Sequence, residues 1–222
     1  MDRFADAFKI REVVIIVAHA DDESLGCGGY MPILKAQGKR VKIVVASDGI
    51  VKARGKDQEN RISVHAACKT LGVDQKDVFF LDLEDQKFEK YYYADIVNKL
   101  KSLKMDPDLL ITHGGSDLNN DHRFLNQCVL IYGRSVSRQI NILGCEIPNS
   151  TEWSGKRFDA RFYVDIDKTL RLKQKAFSCY KNEVRSFPHP WSMKGLEVLA
   201  LQRGMEVGLK HAEAYEIIRW FA

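Results

Sequence analysis

The run Glu12-Val13-Val14-Ile15-Ile16-Val17-Ala18 is apolar without alternation. A strand with one wet face alternates in polarity, and a strand covered on both faces does not. The run therefore predicts a buried strand of a parallel sheet with helices on each side. It ends at a polar cluster, His19-Ala20-Asp21-Asp22-Glu23. The same rhythm recurs outward from it. Residues 24–37 read as a helix closed by Gly38. Val41–Ala46 reads as a second buried strand, ending at the turn signal Ser47-Asp48-Gly49. Residues 57–71 read as a helix stopped by Gly72. Val78–Leu81 is a short strand, Tyr91–Leu103 a helix, Asp108–Thr112 a strand after Pro107, and Asp121–Ser137 a helix. Long crossovers without two-residue hairpins predict an α/β fold, a Rossmann-like three-layer domain with a mostly parallel central sheet.

Past Gly144 the texture changes. Residues 144–160, with Pro148, Asn149, Ser150 and Gly155, read as one long loop, a feature that is usually functional in a compact domain. Arg161–Asp165 alternates like a strand, and residues 168–180 and 193–207 read as helices. The tail 214–220 reads as an edge or capping strand. The whole, 1–222, is expected to be a single domain. Residues 1–143 would form the α/β core, and residues 144–222 a C-terminal loop, helix and strand extension walling the pocket.

Composition narrows the function. A chain of 222 residues can bury roughly 70% of its unfolded surface and needs neither disulfide nor metal merely to fold. Thirty-four Lys and Arg against thirty Asp and Glu leave +4, with no basic block, so nucleic acid is not the expected partner. No apolar run reaches the ~18 residues of a membrane span. Charges run through residues 1–12, which predicts no signal peptide. The five cysteines (Cys27, Cys68, Cys128, Cys145, Cys179) are odd in number and form no CxxC, as in a cytoplasmic protein with reduced thiols. The oligomeric state is left open, with a homo-oligomer allowed.

In open α/β sheets, ligands bind beyond the carboxyl ends of the strands. His19-Ala20-Asp21-Asp22-Glu23 follows the first strand. His113-Gly114-Gly115-Ser116-Asp117 and Asn119-Asn120-Asp121-His122 follow the fourth. Parallel strands place both clusters on one edge. Two imidazoles and a carboxylate make a catalytic zinc shell with an open position, and His19, Asp22 and His122 offer one. Asp21 is then a free carboxylate able to accept a proton, and Asp121 is placed to orient an imidazole. Two other readings stand beside this one. The acidic triplet suits a helix N-terminus, and the Asp21-Asp22 pair suits magnesium or manganese with a nucleotide-sugar.

These residues resemble the LmbE-like, or PIG-L-like, zinc-dependent N-deacetylases. His19-Ala20-Asp21-Asp22-Glu23 is similar to the family's His-Pro-Asp-Asp-Glu, and Asn119-Asn120-Asp121-His122 to its second motif. Asp117-Leu118-Asn119-Asn120-Asp121-His122-Arg123 resembles the bacterial branch that acts on small amino sugars. So do Glu146-Ile147-Pro148-Asn149-Ser150-Thr151-Glu152-Trp153, Pro188-His189-Pro190-Trp191-Ser192, Arg203-Gly204 and Ala212-Glu213-Ala214-Tyr215. The resemblance implies one zinc per chain on His19, Asp22 and His122, with Asp21 as general base. It implies hydrolysis of the acetyl group of an N-acetylated amino sugar or its glycoconjugate. Ala20, Asn119 and Trp191 depart from the pattern, at positions where Pro, in some members His, and Arg are expected. Asn119 can donate a hydrogen bond to an oxyanion but cannot carry a proton. His189, between two prolines, is the candidate for the missing acid. Arg61, His113 and Trp153 are candidate substrate contacts, Trp153 as a stacking surface. Gly26, Gly28 and Gly29 suit either a phosphate cradle or close helix packing. The alternatives to a deacetylase are a divalent-metal-dependent sugar-nucleotide transferase and a non-catalytic sugar- or nucleotide-binding module.

Overall fold

Strand β1 (Glu12–His19) is buried along its length except at His19. It is an inner strand, third in order, of a seven-stranded sheet. The computed structural model describes residues 10–48, 57–134, 136 and 138–221, with 57–59 as backbone only. The charged segment 1–9 and Gly49 of the second turn signal lie outside these residues. β2 (Arg40–Ser47), β3 (Val78–Phe80), β4 (Leu109–His113), β5 (Asn141–Cys145), β6 (Phe162–Asp165) and β7 (Ala212–Arg219) complete the sheet. Its order is β3-β2-β1-β4-β5-β7-β6. β1 to β5 are parallel, with Val13 beside both Val41 and Leu109. β7 runs antiparallel to both β5 and β6.

Alternate side chains of β1 enter different cores. Val13, Ile15 and Val17 pack under α1 (Asp22–Cys27), α2 (Tyr30–Ala36), α3 (Asp57–Thr70), α6 (Leu170–Phe177) and α7 (Met193–Met205). Val14, Ile16 and Ala18 pack under α4 (Tyr93–Ser102) and α5 (Asn120–Tyr132). Coverage of both faces is why the β1 sequence has no polar alternation. Among the described residues no helix is long and apolar enough to cross a membrane. All five cysteines are free.

Three sequence expectations are corrected. The helix expected over 24–37 is two helices. Pro32 lacks the N–H that would bond back to Gly28, and its ring would crowd that carbonyl. The break exposes the Gly29 and Tyr30 N–H groups, which donate to Glu213 Oε1 and Oε2 at 2.7 and 2.8 Å. A Cβ on Gly29 would lie 2.6 Å from Ile166, so close packing, not a phosphate cradle, explains that glycine. β5 was not expected because Gly144 interrupts its apolar run. A Cβ there would stand 3.1 Å from the Gly114 backbone. The tail strand is not at an edge, since β6 pairs on its far side.

Glu213 also receives Lys173 Nζ at 2.7 Å and the Tyr215 hydroxyl at 2.9 Å, all within the interior. Removing one partner of a buried ion pair strands the other charge. Glu213→Ala is expected to destabilise the chain by roughly 3–5 kcal/mol, read as a drop in melting temperature on the order of 10 °C. A melt close to that of wild type would show that the carboxylate does not hold the α1–α2 break.

Candidate metal centre

The strand order reverses between β1 and β4, since β1 continues to β2 on one side while β4 lies on the other. Such a switch point opens a crevice at the carboxyl ends of the strands. His19 is the last residue of β1, and Asp22 opens α1 three residues later. The His19 N–H donates to Asp22 Oδ2 at 2.8 Å, which folds the turn so that both side chains face the crevice. His122 comes from the first turn of α5, after β4.

Three atoms converge there. His19 Nδ1 lies 3.1 Å from His122 Nε2 and 3.5 Å from Asp22 Oδ2, and His122 Nε2 lies 3.4 Å from Asp22 Oδ2. Ligands of a tetrahedral zinc, bonded at ~2.0–2.2 Å, sit about 3.3–3.6 Å from one another. The donor set and its spacing therefore fit such an ion, and these three residues form a group able to hold a metal.

Each imidazole has a carboxylate at its outer nitrogen. His19 Nε2 lies 3.1 Å from Asp121 Oδ2 and 3.1 Å from Asp85 Oδ1. Asp121 is held in turn by the Gln86 and Phe88 N–H groups at 2.7 and 3.1 Å. His122 Nδ1 faces Asp117 Oδ2 at 3.0 Å. Asp121 thus orients an imidazole, that of His19. Neighbours on a helix diverge by about 100°, so the ring adjacent in sequence is served by Asp117 instead. Burial alone would lower both histidines. Hydrogen bonds to Asp121, Asp22 and Asp85 hold His19 well above its usual range, and the Asp22 charge with Asp117 raises His122. Asp22 itself is kept well below the carboxylate range, against its burial, chiefly by the His122 charge.

Asp21 occupies the cap position of α1 but makes no side-chain bond to the helix. The acidic triplet is therefore not serving as a helix cap through Asp21. Its φ is 108°, a conformation disfavoured for a residue with a Cβ and found mostly where function requires it. Glu23 sustains it. Fully buried, Glu23 accepts the Asp21 N–H at 3.1 Å, and the Ser24 and Tyr180 hydroxyls at 2.6 Å each. Burial, with the charges of Asp22 and Glu23 beside it, pushes the Asp21 carboxyl well above its usual range.

The other expected site residues are spread more widely. Asn119 caps α5 through its side-chain oxygen, which accepts the Asp121 N–H at 2.9 Å. Only its NH2 remains to donate. His113 is fully buried, stacked on His122 with ring centres 3.9 Å apart. Its Nε2 accepts the Ala18 N–H at 2.8 Å. Burial beside His122 drives it down to about 3, so it is a neutral ring packed behind the cluster. Arg61 bonds to Asp48 and Asp82 and lies over the Phe80 ring at 4.6 Å. His189 Nδ1 accepts the Trp191 N–H at 3.0 Å, and its ring meets Trp153 and Trp191 edge-on, at 6.2 and 6.0 Å. Trp153 is 60% exposed. Asp85, Asp117 and Glu23 are the contributors that sequence reasoning left out. Asp117 and Glu23 lay within the quoted motifs, whereas Asp85 sits in a loop without a motif.

The profile of the GlcNAc-PI de-N-acetylase (PIG-L) family matches residues 14–132, more than half of the chain. The chain belongs to the PIG-L family. Its structure is similar to that of the N,N'-diacetylchitobiose deacetylase of Pyrococcus horikoshii, with a TM-score of 0.78 and 18% identity over 98% of this chain and 87% of that one. It is also similar to a conserved protein of Thermus thermophilus, with a TM-score of 0.75 and 20% identity over 95% of each chain. The 4-carboxy-2-hydroxymuconate hydratase GalB of Pseudomonas putida shares the fold too, with a TM-score of 0.73 and 20% identity over 96% and 98% of the two chains. A search of the sequence against curated proteins finds no significant match. At these identities the structural likeness speaks for the fold, and the profile match for the family.

Two tests follow from the PIG-L cluster. His122→Ala is expected to abolish tight one-to-one zinc binding, measured by elemental analysis after dialysis. Retained stoichiometric zinc would break the ligand assignment. Ligation must also compete with protons at the cluster, because the neighbouring carboxylates raise the proton affinity of both histidines in the metal-free chain. Apparent zinc affinity should therefore rise with pH, by about tenfold per unit for each proton displaced. Chelator competition at pH 6 and pH 8 reads the slope, and a flat profile would contradict the protonation described.

Proposed function

We propose that the protein is a zinc-dependent hydrolase that removes the acetyl group from an N-acetylated amino sugar or its glycoconjugate. The observation that carries this reading is the His19–Asp22–His122 triangle with buried Asp21 beside it. The family profile and the likeness to a deacetylase fold support it. Imidazole donors suit zinc better than magnesium or manganese, which weighs against nucleotide-sugar transfer. An ion on these three residues supplies a Lewis acid for the acetyl carbonyl and lowers the pKa of water.

Asp21 takes a proton from the attacking water as its oxygen bonds to the carbonyl carbon. With its proton affinity raised by burial, it then returns that proton to the nitrogen as the C–N bond breaks. Acetate and a free amine leave. The Asn119 NH2 donates to the carbonyl oxygen as charge develops there. Asp121 and Asp117 hold the two imidazoles in place. His113, lacking exposed surface, acts by packing against His122 and not by touching substrate. Trp153 offers a ring face to a sugar. His189, whose Nδ1 is an acceptor, presents Nε2–H as a donor beside it. Arg61 shares its charge between two carboxylates, so it would meet a sugar hydroxyl more readily than a phosphate.

Replacing Asp21 by Asn should leave bound zinc unchanged and lower acetate release from N-acetylglucosamine glycosides by about 10²–10⁴-fold. Activity near wild type would remove Asp21 as the base.

A further inference from the structure

Asp117 is buried, and its two oxygens have different duties. Oδ1 accepts the Asn119 N–H at 2.8 Å and the Ser150 hydroxyl. Oδ2 faces His122 Nδ1 at 3.0 Å. Among the described residues neither atom has a well-aligned hydrogen bond, so this 3.0 Å approach is the polar contact open to both. A buried imidazole N–H left without an acceptor is costly, so the Asp117 carboxylate decides that the proton sits on Nδ1. That leaves Nε2, the nitrogen facing His19 and Asp22, as the one with a lone pair. The orientation of the carboxylate matters as much as its presence. Two donors on Oδ1 fix the plane that aims Oδ2, and one of them is a side chain 33 residues away.

Ser150 is no casual neighbour. It lies in the segment after β5 and is 8% exposed. Its backbone oxygen accepts the Leu118 N–H at 3.0 Å, and its own N–H donates to Ile147 O at 3.2 Å. Thr151 Oγ1 accepts the Ile147 N–H at 3.1 Å, and Pro148 O accepts Trp191 Nε1–H at 2.8 Å. The segment is therefore clamped from two directions, with the Ser150 hydroxyl aimed inward at Asp117. Three residues further on it carries Trp153.

We propose that Ser150 is a positioning residue for the metal ligand His122, acting through Asp117, so that the loop bearing Trp153 also sets how tightly the metal is held. The proposal rests on the metal-centre reading above. Ser150 itself touches neither the ligand triangle nor, on that reading, the substrate's acetyl group. It works by keeping one carboxylate oxygen opposite one ring nitrogen, the kind of support whose loss commonly weakens metal binding 10–100-fold.

The test is zinc affinity of the metal-free chain, measured by competition with a chromogenic chelator, with the melting temperature of the same metal-free samples beside it. Ser150→Ala should weaken zinc binding by about tenfold or more, and Ser150→Thr, which keeps the hydroxyl, should restore it. If S150A does not fold, Ser150→Cys, close in volume but a weak donor, carries the same expectation. Unchanged zinc affinity in S150A, or equal weakening in S150A and S150T, would overturn the proposal. A lowered melting temperature with unchanged zinc affinity would do the same, since it marks a merely structural serine. A wild-type chain that binds no zinc would overturn the metal-centre reading as well, which separates the two failures.

Discussion

Two imidazoles and a carboxylate lie within 3.5 Å of one another at a buried strand end, and each outward-facing nitrogen is met by a carboxylate. An unmet polar atom in the interior costs more than a typical hydrogen bond gains. Much of the architecture at the carboxyl edge answers that demand. The loop after β3 brings Asp85 to His19 and lends two backbone N–H groups to Asp121. The turn after β4 brings Asp117 to His122, and the segment after β5 brings Ser150 to Asp117. Segments following four parallel strands thus meet at one point. That convergence is what the reversal of strand order between β1 and β4 makes available.

The backbone is bent to the same end. Asp21 is kept at positive φ by a buried glutamate two residues on, which is itself held by hydroxyls from Ser24 and Tyr180. Tyr180 lies three residues past the end of α6, in the C-terminal part of the chain. The later elements are thus more than a wall around the crevice. Through Tyr180, Lys173 and Glu213 they hold the first turn after β1 and the break that follows it, and through Ser150 the turn after β4.

The parallel core was legible in the sequence because its strands are buried on both faces and carry that fact as unbroken apolar runs. The convergence of the candidate ligands was legible because strand ends in such a sheet share an edge, so His19 and His122 could be paired across a long separation. Other features leave no periodic trace. Asp85 is an ordinary acidic loop residue until the fold brings it to His19. The α1–α2 break depends on Pro32 and on a carboxylate from residue 213 that meets the Gly29 and Tyr30 N–H groups, and β7 takes an inner place because β6 pairs beyond it. Asp117 was in view in the motif, yet its partner depends on how a helix turns, which adjacency in sequence does not reveal. The fold alone does not select the chemistry either. A hydratase and a deacetylase share it, so the functional reading rests on the site and on membership in the PIG-L family.

The most direct measurement is metal content of the purified wild-type chain by elemental analysis, made on the same sample used to follow acetate release from a small panel of N-acetyl sugars. The account predicts about one zinc per chain, with acetate released and lost again when a chelator strips the metal. A chain that takes up no divalent metal even when zinc is supplied, with the cluster intact, would contradict it.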